Sequence, residues 1–346
     1  MMERINEFYK NFGLPRLIIA SFLILLCIAA AMVGLPLPAL FSAVLVRFGM
    51  HGVLVLAMVP AIIAGIGLNF GLPLGILCGL LGGLISIELD LVGFNALATA
   101  ILIAIPLAML VGVAYGWLLN RVKGSEMMVA TYVGFSAVSL MSIGWLLLPL
   151  YSPEIVWPIG RGIRTTIVLT GRYDKVLNNF LDFSIFGMHI PTGLLLFMLM
   201  ICFLMWLFLR SSVGVAMKAT GDNPRFATAS GINVNKSRMI GTILSTVLGA
   251  VGIIVFSQSF GFIQLYQAPM FMGFGAVAAI LIGGASVKKA SITNVLIGTL
   301  LFQGMLVISL PVANKIMTLG SLAEISRIII SNGIILYALT QVSGGE

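Results

Sequence analysis

Residues 210–238, RSSVGVAMKATGDNPRFATASGINVNKSR, form a polar stretch between two apolar runs of the chain. We call this stretch the platform. Its basic residues are Arg210, Lys218, Arg225, Lys236 and Arg238, and its single acid is Asp222. Loops that remain on the cytoplasmic side of a membrane carry such an excess of Lys and Arg. The sequence therefore predicts that the platform is a cytoplasmic loop between two membrane spans.

The platform contains a short helix with a signal at each end. Asn223 is a favoured N-cap residue, and Pro224 suits the first helical position. Gly231 favours termination directly after Ser230. About two turns of helix are not stable alone in water. We therefore expect this helix to dock on its own bundle or on a second protein.

Composition assigns the whole chain to the membrane. The 346 residues are 60 % hydrophobic and 9 % charged, with a mean hydropathy of +1.14, whereas soluble domains are roughly a quarter charged. No polar linker divides the chain, so residues 1–346 are predicted to form one all-α polytopic membrane domain. The net charge of +8 does not indicate nucleic acid, because the basic residues are spread over short loops. Cys27, Cys78 and Cys202 lack metal spacing and are expected to be buried free thiols.

Ten apolar windows are long enough to cross a bilayer core of about 30 Å. They lie at about 17–35, 51–68, 70–87, 94–119, 127–150, 191–209, 239–258, 269–285, 290–310 and 323–341. With a cytoplasmic N-terminus, the cytoplasmic side receives residues 1–16, a tight bend near Asn69, 120–126, 210–238, 286–289 and the tail. Residues 151–190 are then an extracytoplasmic loop, and both termini are cytoplasmic. Gly and Pro interrupt the windows at 51–87 and 269–310, which indicates broken or re-entrant segments there.

Glycine recurs every fourth residue between positions 67 and 83. The ladder consists of Gly67, Gly71, Gly75, Gly79 and Gly83. This spacing lets two membrane helices approach closely. A second interpretation is that Pro73 breaks the helix near Asn69 and leaves polar backbone beside a pathway.

A faint internal echo favours the second interpretation. Phe70, Gly71, Ile76, Leu77 and Gly79 recur with the same spacing as Phe274, Gly275, Ile280, Leu281 and Gly283. In the predicted topology the two segments cross the membrane in opposite directions. Inverted repeats have this relation, and they place a binding site between broken helices near the middle of the membrane.

The segment 151–190 is the largest predicted external piece. Residues 165–170, TTIVLT, predict a short strand, and residues 174–183 predict an amphipathic helix at the membrane interface. Tyr173 is expected at headgroup level. The segment is either a passive cap or a landing surface for a protein that delivers solute.

The sequence offers no catalytic or metal site. His51 and His189 are too far apart in sequence to indicate a paired-His metal site or a triad. No GxxxxGK[ST] motif is present, so the chain is not expected to bind a nucleotide in the P-loop manner. Glu88 and Asp90 mark the end of a span rather than a proton relay. If ATP drives transport, a partner subunit must bind it, and this chain needs no cofactor of its own.

Neutral polar residues within the predicted spans are the better candidates for a solute pathway. The set is Asn69, Asn95, Thr131, Gln258, Gln264, Gln267 and Gln303. Polar side chains in hydrocarbon normally face a partner or a wet cavity, and neutral ones suit a small hydroxylated, uncharged solute. We take Asn69, Asn95, Thr131, Gln258 and Gln303 as pathway candidates. Hydrogen bonding between helices is the alternative role for each.

The chain resembles the bacterial ABC importer permeases for simple sugars, which are related to the branched-chain amino acid and nucleoside permeases. The residues that carry the resemblance are Arg210-Ser-Ser-Val-Gly214, Gly221-Asp-Asn-Pro224, Ala227, Ala229 and Gly231-Ile-Asn-Val234, then Ala278-Ala-Ile-Leu-Ile-Gly-Gly-Ala-Ser286 and Gly298. Two segments depart from the family pattern. Val287-Lys288-Lys289-Ala290 replaces a glycine-rich continuation, and residues 69–75 read NFGLPLG where an acidic or polar signature is usual.

The resemblance implies that residues 223–231 form a coupling helix on a cytoplasmic ABC ATPase subunit. The coupling residues carried over are Gly221, Asp222, Asn223, Pro224, Arg225, Ala227 and Gly231. It also implies a second permease subunit, identical or different, an extracytoplasmic solute-binding protein, and surrounding lipid of a bacterial cytoplasmic membrane. A simple sugar is the expected solute. The alternatives are a nucleoside or other small metabolite, a secondary transporter driven by an ion gradient, and a structural or channel-forming protein.

Overall fold

The computed structural model describes residues 14–159 and 162–316, together with positions 328, 329, 332 and 333. The helices are α1 (Leu14–Met32), α2 (Leu37–Leu56), α3 (Met58–Ile63), α4 (Leu72–Glu88), α5 (Gly93–Arg121), α6 (Glu126–Leu147), α7 (Thr192–Arg210), α8 (Ser212–Asp222), α9 (Pro224–Ala229), α10 (Val234–Phe260), α11 (Gln267–Ile282) and α12 (Ile292–Ile316). The strands are β1 (Thr166–Val168), β2 (Phe183–Ile185), β3 (Met188–Ile190) and β4 (Phe262–Gln264). The predicted all-α membrane fold is confirmed.

Six helical segments in the described part of the chain are long and apolar enough to cross a membrane. They are Leu37–Ile63, Gly93–Arg121, Glu126–Leu147, Thr192–Arg210, Val234–Phe260 and Ile292–Ile316. Three shorter apolar helices, Arg16–Met32, Leu72–Glu88 and Gln267–Ile282, accompany them. The predicted window at 323–341 lies almost entirely outside the described residues, as does the predicted cytoplasmic segment 1–16.

One predicted window is displaced. The window at 51–68 is part of a helical segment that begins at Leu37 and ends at Ile63. Pro36 precedes this segment and a proline occupies its first turn, where proline fits without losing a hydrogen bond. Arg47 and His51 lower the local hydropathy, which concealed the first half of the helix from the sequence pattern. Residues 64–71, which follow it, are not helical.

Helix packing has the pattern of an internal repeat. Helices α4 and α5 pack on each other and both pack on α10, whereas α11 and α12 pack on each other and both pack on α2. In addition, α2 contacts α10, and α4 contacts α11. Exchanging α2, α4 and α5 for α10, α11 and α12 therefore preserves these contacts, as expected for an internal repeat of three helices. The sequence echo marks a different register, because Phe70 precedes α4 whereas Phe274 lies inside α11.

The glycine ladder lets α4 approach its neighbours closely. A Cβ on Gly75 or Gly79 would collide with the carbonyl oxygen of Thr246 or Ala250 on α10. Gly82, which lies outside the ladder, has the same role toward α5, because a Cβ there would collide with the carbonyl oxygen of Ala100. This is the backbone proximity that small residues permit between membrane helices. Pro73 does not interrupt α4, because it lies in the first turn of this helix, after the non-helical residues that precede it.

Residues 151–190, which we call the long connection, attach to both repeats. Strand β1 pairs antiparallel with β4, so Ile167 lies opposite Ile263, and both are buried. The predicted strand is confirmed. The predicted helix at 174–183 is wrong, because these residues form turns and Lys175 and Leu181 have positive φ angles of 51° and 54°, which a helix does not accommodate.

Polar contacts secure the same connection to the bundle. The Glu88 carboxylate, at the end of α4, accepts hydrogen bonds from the backbone N–H groups of Tyr151 and Ser152. Arg172 donates to Glu154 and to Asp90, and these hydrogen bonds raise the pKa of its guanidinium. Tyr173 is buried within the protein against Gly83, and burial raises the pKa of its phenol.

Candidate transport site and its link to the platform

Residues 64–71 are the non-helical segment between α3 and α4, and we call this segment the break. It lies within the protein rather than in an aqueous loop, contrary to the expectation for Asn69. The Asn69 side chain is 1 % exposed. Its amide nitrogen donates to Ser245 Oγ of α10 at 2.7 Å, and its amide oxygen accepts from the Tyr115 hydroxyl of α5 at 2.9 Å. Ser245 in turn donates to the Ala57 carbonyl at 2.6 Å, between α2 and α3. A neutral hydrogen-bonded cluster therefore joins the break to four helices.

Three phenylalanine rings surround a narrow pocket next to the break. The Phe274 ring lies 6.0 Å from that of Phe70 and 6.1 Å from that of Phe135, measured between centroids. Thr131 also lines this pocket and donates its hydroxyl proton to the Met127 carbonyl. The wall thus combines aromatic faces with a hydroxyl group. Helix α6, which carries Thr131 and Phe135, is largely unburied, so the pocket lies at an open face of this subunit.

The other pathway candidates lie elsewhere. Asn95 is exposed in the first turn of α5. Gln258 is buried, donates to Asn178 and accepts from the Leu177 backbone N–H, so it fastens the long connection to α10. Gln303 is buried in α12. Of the five candidates, the structure places only Asn69 and Thr131 at the break and its neighbouring pocket.

Acidic residues are confined to helix ends and connections in the described part of the chain. Glu88 ends α4 and Glu126 begins α6, while Asp222 ends α8. The remaining described acids are Asp90, Glu154, Asp174 and Asp182. No carboxylate in the described residues lies in a helix interior, where proton relays are found. The same residues contain no cluster of three or more His, Cys, Asp or Glu side chains that could hold a metal ion.

The short helix predicted within the platform is present as α9, whereas the helix α8 over Ser212–Asp222 was not predicted. The Asn223 side chain accepts hydrogen bonds from the backbone N–H groups of Arg225 and Phe226, which caps α9. Gly231 follows the helix with a φ angle of +78°, and nothing occupies the space that a Cβ would take. Ala227 is buried, whereas the Phe226 side chain is 64 % exposed. The short helix therefore presents one large apolar side chain away from the bundle.

A glycine pair connects the platform to the break. A Cβ on Gly221, near the end of α8, would collide with the Ile63 carbonyl oxygen. A Cβ on Gly65 would lie 2.9 Å from the Gly221 Cα, and Gly65 also has a φ angle of +74°. The two backbones touch without intervening side chains. The backbone near the end of α8 is therefore in direct contact with Ile63 and Gly65 at the start of the break.

Arg238 reinforces this junction from α10. Its guanidinium donates to the Gly65 carbonyl at 3.1 Å and to the Asn120 side-chain oxygen at 3.2 Å, and it forms an ion pair with Glu126. One buried cation thus joins α10, the break, the end of α5 and the start of α6. Sequence reasoning assigned Arg238 only to the basic count of the platform, because its partners lie more than a hundred positions away.

Residues 19–338 match the family described as "Branched-chain amino acid transport system / permease component". This match covers nearly the whole chain. The chain belongs to this ABC transporter permease family. Members of the family are transport subunits and are not themselves enzymes. This permease is therefore a multi-pass membrane protein, and the predicted resemblance is confirmed.

Curated relatives of the permease differ in what their names say they transport. It is 27 % identical to the galactofuranose transporter permease of Escherichia coli K12 over 164 residues, which is 45 % of this chain and 47 % of the relative. It is 31 % identical to an autoinducer 2 import system permease of Shigella flexneri over 93 residues, 27 % of each chain. It is 30 % identical to a nucleoside ABC transporter permease of Lactococcus lactis over 101 residues, 29 % of this chain and 32 % of the relative.

Each of these matches spans about half of the relative's length or less. No solved structure matches the permease.

Proposed function

We propose that this chain forms the translocation path of an ABC importer for a simple sugar and is driven through α9 by a cytoplasmic ATPase subunit. The observation that carries the proposal is the backbone contact between Gly221 and Gly65, which links the platform to the break. A capped helix with an exposed Phe226 suits docking in a groove of a second protein. Motion of that protein then reaches Asn69 through the break.

The solute assignment depends on the chemistry of the pocket beside the break. The three phenylalanines and Thr131 line a pocket of about 10 Å³, which is room for about one water molecule. The apolar faces and the Thr131 hydroxyl therefore contact a sugar only when the pocket widens during transport. Asn69 and Tyr115 add neutral hydrogen-bonding groups in the adjacent cluster. Charged solutes would lack a counter-charge there. A galactofuranose permease among the relatives agrees with this assignment, while the nucleoside permease keeps a nucleoside or other small metabolite as the alternative.

The proposed assembly contains two permease subunits, which enclose the open face of α6, and two ATPase subunits that bind ATP. An extracytoplasmic binding protein delivers solute to the long connection. In this arrangement the chain spans a bacterial cytoplasmic membrane, and the platform lies on the cytoplasmic side. Domain boundaries follow this arrangement, with residues 210–238 as the coupling loop, residues 151–190 as the extracytoplasmic loop, and 1–346 as one transmembrane domain.

The test combines Asn223→Ala with Gly231→Val in the reconstituted importer. Loss of the cap costs about 1 kcal/mol, and a β-branched residue in the left-handed region costs about 1–2 kcal/mol. For a helix of two turns this is enough to disorder the docking element. We expect ATP hydrolysis to continue while solute uptake falls severalfold, with unchanged membrane insertion.

Ser230→Ala is the matched control, because Ser230 is exposed and its side chain caps nothing in the described structure. Uptake and hydrolysis that stay coupled in the double variant would refute the role of α9. Liposomes loaded with ATP distinguish the ion-gradient alternative. Immediate collapse of uptake on adding a proton ionophore, with internal ATP intact, would favour a secondary transporter over this proposal.

A further inference from the structure

A cavity of about 760 Å³ lies between the platform and the connection from α11 to α12. Its basic lining residues are Lys218 of α8 and the adjacent pair Lys288 and Lys289. Asp222 is the acidic residue that lines it. The lysine pair lines neither the phenylalanine pocket nor the hydrogen-bonded cluster of Asn69, so the proposed solute site does not account for it. The cavity is within the range of 300–1,000 Å³ that is common for small-molecule sites.

A tight turn holds the lysine pair in place. Ser286 Oγ accepts hydrogen bonds from the backbone N–H groups of Lys288, at 3.4 Å, and Lys289, at 3.1 Å. The Ser286 N–H also donates to the Lys289 carbonyl at 2.8 Å. Both side chains therefore extend from a closed loop rather than from a loose one.

The positive charge of the cavity is not neutralised within the part of the chain that the structure describes. None of the three lysine ammonium groups forms an ion pair there. Arg210 stacks on the ring of Trp206, which lines the cavity, at 3.8 Å from the ring centroid. The cavity and its margin thus hold four cations and one acid, a balance that favours an anionic ligand.

The opposite wall is apolar. Trp206 and Leu209 of α7 line it together with Ile63. The Trp206 ring also stacks on that of Phe203, which is exposed on the outer face of α7. The apolar wall is therefore continuous with a surface that suits lipid chains. A cationic rim beside an apolar wall matches a phosphate group carried on a hydrophobic tail.

We propose that this cavity binds the phosphate headgroup of an anionic lipid between Lys218 and the Lys288–Lys289 turn. The occupied site joins α8 of the platform to the connection that leads into α12. It lies outside the proposed solute pocket, since neither Asn69 nor the phenylalanine pocket contributes to it, but Ile63 and Asp222 place it beside the junction of α8 with the break. A soluble phosphate ester shares the recognised chemistry, and the experiment separates the two sources.

The experiment compares the full chain, purified in nanodiscs of equal parts phosphatidylglycerol and phosphatidylcholine, with the Lys288→Gln/Lys289→Gln variant. Lipid that remains bound is counted by native mass spectrometry. Each lysine near a membrane surface contributes about 1 kcal/mol to anionic lipid binding, so affinity for phosphatidylglycerol should fall about 30-fold in the variant. The control Lys123→Gln/Lys236→Gln removes the same charge outside the cavity and should change affinity by less than about twofold.

A second arm adds inorganic phosphate to the protein in phosphatidylcholine nanodiscs and measures the melting temperature. Stabilisation by phosphate equal to that by phosphatidylglycerol, lost in the Lys288→Gln/Lys289→Gln variant, would assign the site to a soluble phosphate.

Lys218→Gln repeats the lipid measurement from a different helix and should weaken binding about fivefold. Equal lipid retention by both double variants would overturn the proposal. Loss of ATPase binding with lipid retention unchanged would overturn it too, and would make the lysines a protein-docking surface.

Discussion

Arg238 and Glu126 form a buried ion pair, in which the Arg238 side chain is 8 % exposed and the Glu126 side chain is 13 % exposed. Removing one member of a buried pair leaves the other charge without compensation, which costs about 3–5 kcal/mol. We expect Arg238→Gln to lower the melting temperature of the purified permease by several degrees. The exposed Lys236→Gln on the same helix should leave it unchanged.

A double substitution separates the contribution of the ion pair from that of the hydrogen bond to the Gly65 carbonyl. Arg238→Met with Glu126→Leu removes both charges and should recover part of the melting temperature lost in the single variant, since replacing both members of a buried pair by apolar groups is often neutral. A double variant as unstable as Arg238→Gln alone would indicate that the bond to the Gly65 carbonyl, rather than the ion pair, holds the junction.

The buried phenol of Tyr173 should make the stability of the permease sensitive to alkaline pH. Because burial raises the pKa of this phenol above its ordinary value near 10, the unfolded chain releases the proton first as the pH rises. Stability from the buried phenol is therefore complete below about pH 10 and falls above it. Tyr173→Phe should show a smaller loss of melting temperature between pH 9 and pH 11. The exposed Tyr151→Phe is the control, and identical pH profiles for wild type and Tyr173→Phe would contradict this assignment.

At the scale of single elements, the sequence predicted what local chemistry determines. Asn223, Pro224 and Gly231 define α9 through interactions within a few positions, so its ends were correct. The first half of α2 was missed because Arg47 and His51 interrupt an apolar run whose burial comes from neighbouring helices. The predicted helix at 174–183 was wrong because these residues form turns whose Leu177 and Asn178 are hydrogen-bonded to Gln258 of α10, which no local pattern encodes.

In the candidate site, too, the sequence predicted the residues with a distinctive local pattern and missed the others. Asn69 was found because a polar residue in an apolar run is conspicuous, and Thr131 was found for the same reason. Tyr115, Ser245 and Phe135 were missed because nothing in their local sequence distinguishes them from ordinary helix residues. They acquire their roles only when α5, α6 and α10 meet the break.

The junction between α8 and the break gives a prediction at this scale. Gly221→Ala places a methyl group against the Ile63 carbonyl, and the contact is with backbone, which cannot rotate away. We expect uptake to fall severalfold, because α8 must separate from the break. Gly275→Ala is the matched control, since its nearest neighbour would be Phe302 at 3.9 Å, an ordinary contact distance. Normal uptake and an unchanged ATP cost per solute in Gly221→Ala would show that the junction transmits nothing.

At the scale of the whole molecule, the platform and the long connection lie near opposite ends of α4. The long connection is anchored at Glu88 and Asp90, where α4 ends, whereas the platform meets the break that precedes α4. One helix therefore spans the distance between the two surfaces. In the proposed assembly, the ATPase subunit at the platform and the solute-binding protein at the long connection contact opposite ends of α4.

Sidedness of the two ends tests this arrangement directly. Arg225 and Ile159 are both exposed, the first on α9 and the second in the long connection. In intact cells, a membrane-impermeant maleimide should label Ile159→Cys but label Arg225→Cys only after permeabilisation, because basic loops remain inside. The wild-type chain provides the background from Cys27, Cys78 and Cys202, of which the latter two are buried. Bound ATPase subunit should then protect Arg225→Cys in permeabilised membranes and leave Ile159→Cys reactive. Labelling of both variants from one side would require a different path of the chain through the membrane, and equal labelling of Arg225→Cys with and without ATPase would remove α9 from the docking surface.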